Sequence, residues 1–400
     1  MKTDIDFWQL CQSFADQEGT VLFYSGGNYC TAKQSYLCLL PTEKIVIELQ
    51  DNKNPWVELK HSLSFSGEDN DLPAWVGYLS YEIGAFSDAE QQLPFYKPPI
   101  PLAIFYKPSI VIKCDKESHA FSFYRHKESS LQCIKQTSFE EYAQMIAIAK
   151  RHILDGNIYQ VNLSHETLFE GQFCPFSYFK NVILSNPAPF AAFMNAGDFT
   201  LISSSPERLI KKCGNELQAI PIKGTRPRGQ NEQDDKKQIE ALQSSVKERA
   251  ELLMITDLLR NDLGKISLPG SVQVPELFHL ETYQNVFHLS SLISSKAKDC
   301  HPIDILRAVF PGGSISGCPK LKALEIIYDL EKRPRHIYTG SIGYLTNRGD
   351  FDFNIAIRTC LYQDQLLNIQ LGAGIVFDSD PEQEYLETLA KGATLFGALK

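Results

Sequence analysis

No two of the ten cysteines in this 400-residue chain form a C-x-x-C pair, and their spacing follows no pattern. That speaks against a zinc ribbon and against a disulfide framework, and it points to a reduced, cytoplasmic setting. No apolar run approaches the ~18 residues of a membrane-spanning helix. The opening MKTDIDFWQL lacks the apolar stretch of a signal peptide. Basic residues are the minority, 39 against 48 acidic, for a net charge of −9. A balance of that sign excludes broad binding of nucleic acid or of an anionic membrane as the main task. The chain also lacks internal repeats, low-complexity tracts, a Gly-Lys-Ser/Thr phosphate loop and a complete G-x-G-x-x-G fingerprint.

What is present reads as alternating strands and helices without βαβ regularity. VLFYS and KIVIEL are short strand-like runs, and AWVGYLSYEIGAF (74–86) fits helix or strand. The proline-rich PFYKPPIPLAIFYKP (94–108) suggests an extended crossing segment. SIVIKC and AFSFYRH are two further strand candidates. Ser138 with Glu141 forms a capping-box signature, followed by Tyr142, Met145, Ile146, Ala149 and Ile153 at helical spacing, with Gly156 as the stop. In IYQVNLS (158–164), Tyr159, Val161 and Leu163 face one way and Gln160, Asn162 and Ser164 the other. That is either a half-exposed strand or a strand whose polar face lines a cleft. Residues 234–263 read as one long helix. YTGSIGYL, FDFNIAIRTC and LLNIQLGAGIVF read as strands. A last helix opens on Asp380 as N-cap, with Pro381 and Gln383 behind it. The order favours an α+β fold with antiparallel sheets.

Several side chains stand out chemically. Glu248 and Glu251, and again Glu384 and Glu387, are i, i+3 pairs, each on one helix face. Taken singly, each pair fits a solvated helix surface. If the two faced each other, four carboxylates would need a cation or protons. Oxygen donors with no His or Cys nearby select a hard ion such as Mg²⁺, and neither helix carries the Glu-x-x-His of a di-iron bundle. FPGGSISGCPK (310–320) resembles an anion loop before a helix. Arg358, set in the apolar NIAIRT, needs a carboxylate or phosphate partner, or else forms an internal salt bridge. His288 in VFHLSS fits a satisfied core histidine. PIKGTRPRG (221–229) places Lys223 on a turn with Arg226 and Arg228 close behind.

SSSPERL, PIKGTRPR, ERAE with DLLRNDLG, HLSS, FPGGSISGCPK, YTGSIGY, DFNIAIRT and GAGIVFDSDPEQEYLETLAKG occur in this order. Together they resemble the chorismate-utilising enzymes, a family that includes anthranilate synthase component I, aminodeoxychorismate synthase component I, and the isochorismate and salicylate synthases. The match runs from about 138 to 398; before it, AWVGYLSYE is the best-matching piece. The resemblance implies one large α+β domain with two stacked, mainly antiparallel sheets flanked by helices. Residues 1–130 would be a strand-rich subregion of that fold, and 131–400 the chorismate-binding catalytic region.

Within the family, the lysine of PIKGT is similar to that of the aminodeoxychorismate synthases; the anthranilate synthases carry alanine there. This implies amination of chorismate to 4-amino-4-deoxychorismate, on the way to para-aminobenzoate and folate. Lys223 would be a nucleophile forming a covalent adduct. Neutralising an ordinary lysine amine at pH 7 costs roughly 4.6 kcal/mol, and burial beside cations such as Arg226 or Arg228 would lower that. By the same resemblance Glu207 would be the general acid. Glu251 and Glu387 would be inner Mg²⁺ ligands, with Glu248 and Glu384 acting through water. Tyr338 and Arg358, with backbone around Gly372 and Gly374, would hold the enolpyruvyl carboxylate, and Lys391 would complete the anion-binding set. Gln160 stands where water-using relatives carry a lysine base. His288 and Thr225 would line the pocket.

The sequence departs from the family at Cys318, where alanine is usual. VLFYSGG only loosely matches the serine-bearing segment with which relatives bind tryptophan, Ser25 being the candidate there. The chain has no G-x-C-x-G nucleophile segment, so the resemblance implies a separate glutamine amidotransferase subunit supplying ammonia. The rival expectations are anthranilate synthase component I and a non-catalytic chorismate-binding paralogue, the latter at odds with intact Glu207, Lys223, Glu251, Glu387 and Arg358.

Overall fold

A computed structural model describes residues 7–26, 34–68, 70–88, 90–115, 131–282 and 286–399. Among these residues eighteen strands pair in an entirely antiparallel ladder. One layer runs Gln132–Gln136, Gln160–Glu170, Leu366–Ile375, Thr359–Gln363, Phe199–Ser205, Phe190–Asn195 and Val21–Tyr24. The other runs Pro73–Leu79, Ser341–Thr346, Phe351–Asn354, Arg208–Cys213, Glu216–Ile220 and Val286–Lys296, with Ile222–Pro227 and Gln273–Thr282 both paired to the last. Two long strands, Gln34–Ile47 and Ala103–Asp115, join the layers: one end pairs with Val21–Tyr24, the other with Pro73–Leu79. The first of them folds over at Leu40, which has φ +51, beside a register shift between Pro41 and Glu43.

Side-chain alternation explains why both faces of the central strands are apolar. Val21, Cys38, Met194 and Leu201 point into the space between the layers, where they meet Val76, Tyr78, Ile104 and Ile342. Their neighbours Leu22, Leu37, Phe193 and Ile202 point outward and pack under Trp8, Phe176, Phe179 and Leu395 of helices Phe7–Phe14, Pro175–Ser185 and Pro381–Gly397. On the other outer face Trp75, Phe105, Ile210 and Phe353 are covered by Trp56, Ile255, Leu306 and Ile327. These come from helices Pro55–Ser62, Val246–Ile266, Pro302–Val309 and Lys320–Glu331. Each such side chain, fully buried, contributes about 1.5–3 kcal/mol.

The Ser138 capping box forms as its residues predict, at the head of Phe139–Leu154. Asp380 caps the last helix at the Gln383 amide, 3.0 Å away. Two readings need correction, and one left open is resolved. The expected single helix over 234–263 is two, Glu232–Ser244 and Val246–Ile266. Ser245 is extended between them, and its hydroxyl accepts the Glu248 amide, so a serine N-cap outcompetes continuation. FDFNIAIRTC is two strands rather than one, with residues 355–358 crossing from one layer to the other. AWVGYLSYEIGAF is strand to Leu79, then a 3₁₀ turn, Tyr81–Phe86. The AFSFYRH strand candidate lies outside the described residues. Among the described residues no helix is long and apolar enough to cross a membrane.

Candidate active site

The site forms where the chain passes between layers. Strand Phe199–Ser205 ends in the first layer and Arg208–Cys213 begins in the second; the two residues between them are Pro206 and Glu207. Ser205 fixes this crossing, accepting the Glu207 amide at 3.2 Å and donating to Ile355 O at 2.6 Å. Arg358 occupies the other crossing, just before Thr359–Gln363, at φ +50. It is half-buried at a bend, not inside a strand as its apolar surroundings suggest.

Glu207 is buried, and Ser314 Oγ of the glycine-rich loop donates to its Oε1 at 2.7 Å. Burial pushes its carboxyl up to about 7; the Ser314 hydroxyl, the Lys223 and Lys391 charges and the Ile222 amide oppose that rise without cancelling it. Lys223 lies on Ile222–Pro227, with its Nζ 3.3 Å from Glu251 Oε2 of the long helix. Arg226 and Arg228, the cations expected to ease neutralisation of this amine, are each ion-paired. Arg226 is spent on Glu248 at 2.7 Å and Arg228 on Asp235, because each has a carboxylate within its own reach. The ion-pair partner of Lys223 is Glu251.

Two glycines make room on the facing wall. A Cβ at Gly374 would stand 2.8 Å from Gln160 Nε2 and 2.9 Å from Lys223 Nζ; one at Gly372 would stand 2.7 Å from the Tyr338 hydroxyl. Gln160, Lys223 and Gly374 therefore share one spot, and Tyr338 adjoins Gly372. Lys391 Nζ donates to Gly372 O at 3.3 Å and pairs with Glu387 at 2.7 Å. Gln160 is 0% exposed, yet neither its Nε2 nor its Oε1 has a hydrogen-bond partner, and Asn162 Nδ2 shares that condition. The half-exposed reading of IYQVNLS is not met, because Gln160, Asn162 and Ser164 are all buried; Ser164 Oγ accepts from Arg333 at 3.0 Å, but the unsatisfied Gln160 amide is a costly arrangement unless a ligand completes it. His288 is buried next to Arg358, and desolvation first, then that cation, press its pKa down to about 3, so it is neutral. Its Nδ1 shares a 2.9 Å hydrogen bond with Thr225 Oγ1.

Each helix carboxylate has its own cation. Besides the pairs above, Glu384 accepts from Ser379 Oγ at 2.7 Å and lies 3.5 Å from Lys247 Nζ, which bridges the two acidic helices. As the side chains stand, no group of three or more His, Cys, Asp or Glu among the described residues is gathered closely enough to hold a metal ion. The carboxylates are nevertheless neighbours. Burial raises the pKa of Glu248, Arg226 opposes it, and the charges of Glu251 and Glu387 add to the rise. Glu248 Oε2 is buried without a hydrogen-bond partner. Burial acts on Glu387 as well, but Lys391, Lys223 and Lys247 hold it below its ordinary value.

Sequence reasoning missed the support beneath this site. The side chains of Glu331 and Arg335 are each 1% exposed and paired at 2.7 Å, and Arg335 also donates to Ile315 O and Asn162 O. Their i, i+4 spacing was the available signal. Ser314 lies in the FPGGSISGCPK stretch, but nothing in its type marks it as the partner of Glu207. Ser25, the candidate for an amino-acid site, lines a separate cavity of about 390 Å³ with Tyr36, Tyr344 and Asp352.

The family model for chorismate binding enzymes matches residues 21–397, and the chain belongs to that family. It is 43% identical over 268 residues to anthranilate synthase component 1 of Lactococcus lactis, covering 67% of this chain and 59% of that protein. It is 44% identical over 254 residues to aminodeoxychorismate synthase component 1 of Salmonella typhimurium, covering 63% and 56%. The matched region thus spans less than two thirds of either relative. The crystal structure of anthranilate synthase component I from Streptococcus pneumoniae superposes with a TM-score of 0.80 at 27% identity, over 92% of this chain and 93% of that one.

Proposed function

We propose that this chain aminates chorismate to 4-amino-4-deoxychorismate, taking ammonia from a separate glutaminase subunit. The observation that carries the reading is the placement of a primary amine, Lys223, between Glu251 and the Gln160–Gly374 wall, with a buried carboxyl of raised pKa, Glu207, near it. In this scheme the neutral amine bonds to ring C2, and the two ring double bonds shift by one position. The C4 hydroxyl departs as water, carrying the proton that Glu207 supplies. Ammonia then bonds to C4, the double bonds return, the C2–N bond breaks and Lys223 is regenerated. Gln160, a neutral amide, takes no proton from water, which suits ammonia as the second nucleophile.

Tyr338, Arg358 and Lys391 would grip the substrate carboxylates, and His288, neutral and tied to Thr225, would border the ring. Glu251 and Glu387, with Glu248 and Glu384 acting through water, would hold Mg²⁺. The donors are all hard oxygens, and Glu248 Oε2 is already buried without a partner. A bound ion would neutralise the ring carboxylate.

The relative from Lactococcus lactis favours a second reading, formation of anthranilate with loss of pyruvate. One assay separates the two. With chorismate, Mg²⁺ and ammonium, the first reading expects a non-fluorescent amino product and a mass adduct on Lys223. Fluorescent anthranilate with no adduct would establish the second. Ammonium should support turnover and glutamine should not; glutamine consumption by the isolated chain would refute the need for a partner.

A further inference from the structure

A carboxylic acid has two oxygens and one proton, and the fold treats the two oxygens of Glu207 differently. Oε1 accepts from Ser314 Oγ at 2.7 Å. The Ile222 amide, on the strand that carries Lys223, also favours the charged form of this carboxyl. Ser314 itself is 7% exposed and held in place. It belongs to the 3₁₀ turn Gly313–Ile315 in the loop between helices Pro302–Val309 and Lys320–Glu331. Four contacts pin that loop. Ser316 Oγ donates to Gly312 O at 2.9 Å, and Arg335 Nη1 to Ile315 O at 3.1 Å. Lys320, just past the loop, donates to Asp262 of the long helix at 2.5 Å and to Val309 O at 3.2 Å. Gly313 packs so tightly that a Cβ there would meet Leu258 Cδ2 at 2.7 Å. This is far more restraint than an ordinary surface loop carries.

We infer that Ser314 is a positioning residue for Glu207: by donating to Oε1 it places the acid proton on Oε2 and fixes the direction in which that proton leaves. The inference rests on the reading of Glu207 as the general acid. The hydroxyl hydrogen of Ser314 occupies Oε1 as an acceptor, so the carboxyl's own proton must sit on the other oxygen. The charged groups facing this carboxyl are Lys223 from its strand and Lys391 from the last helix. Neither replaces the hydroxyl, since Lys223 pairs with Glu251 and Lys391 with Glu387 and Gly372 O, and neither donates a hydrogen bond to Glu207.

The opposite arrangement, with Oε1–H donating to Ser314, would look similar in heavy-atom positions but differs in sign. A donor to the carboxylate stabilises the charged form, whereas an acceptor stabilises the protonated form. Infrared difference spectra between the parent and Glu207→Gln identify the Glu207 carboxyl band, and pH titration of that band gives its midpoint. In Ser314→Ala the midpoint should rise by roughly one to two pH units. The alkaline limb of the ammonium-dependent rate should move with it. Turnover should fall about tenfold with KM unchanged, a fraction of what general acid catalysis supplies. Ser314→Cys, nearly isosteric with a weak S–H donor, should fall between parent and alanine and guards against a folding defect. A midpoint that stays fixed, or one that falls, overturns the inference. If instead Glu207→Gln keeps full turnover, the acid reading fails, and the infrared midpoint still judges whether Ser314 governs the Glu207 proton.

Discussion

Two buried carboxylates in this molecule are pushed in opposite directions. Glu331 accepts from Arg335 Nε at 2.9 Å and Nη2 at 2.7 Å and from the Ser164 amide at 2.7 Å. Burial acts to raise its pKa, yet Arg335 and Arg333 hold it below the ordinary value. Glu207 is as well shielded, but its hydrogen-bond partner is a neutral hydroxyl, and its pKa stands near 7. Burial alone therefore does not make an acid. A cation in contact turns a buried carboxylate into a structural anchor, and the lack of that contact leaves it able to exchange a proton near neutral pH.

The contrast can be broken most severely at the amine. Lys223→Ala should abolish both ammonium-dependent turnover and the mass adduct while leaving the unfolding midpoint close to the parent's; retained turnover would remove the nucleophile from the account. Next, Glu207→Gln should slow turnover by about 10²–10⁴-fold, measured at saturating chorismate. At the anchor the expected loss is in stability. Glu331→Gln leaves Arg335 buried without its anion and should cost about 3–5 kcal/mol by denaturant unfolding. Glu331→Gln combined with Arg335→Met should recover most of it.

Glu207→Gln has a stability effect of opposite sign. A folded-state pKa near 7 against an ordinary 4.5 means that the native state binds a proton the unfolded chain has released. The parent thus loses stability as pH rises from about 4.5 through 7. The variant should be more stable than the parent at pH 8, by up to about 3 kcal/mol, with the gap closing below about pH 5. A gap independent of pH would refute the raised pKa. The smallest effect belongs to Lys247, half-exposed and 3.5 Å from Glu384: Lys247→Met should change stability by less than about 1 kcal/mol.

Local signals were legible in the sequence to the extent that a single residue type decides them. Ser138, Asp380 and Pro381 announce helix starts because an N-cap side chain or a fixed φ acts within one turn. Ser245 obeys the same rule, but it sits in a stretch whose apolar period carries through it, so the break there is hidden. Layer crossings are not legible, because Ile355–Arg358 is as apolar as the strands it joins and nothing local marks the change of sheet. In the site, the carboxylate pairs and Lys223 stand out by type and spacing. What they touch does not. Arg226 and Arg228 are spent on Glu248 and Asp235, and the saturation of Arg335 or the lack of partners on Gln160 depends on strands more than a hundred residues apart.

Glu207 and Arg358 both lie in the short links that stitch one layer to the other. Sliding the layers would displace both at once, so these two positions are tied to the geometry of the whole body. Lys223 and Gln160 hang from strands on either side, where one side chain can be exchanged without moving a backbone atom. A frame built this way can keep its grip on one substrate while changing what is done to it, and novelty in its chemistry should be sought at the replaceable positions and not at the stitches.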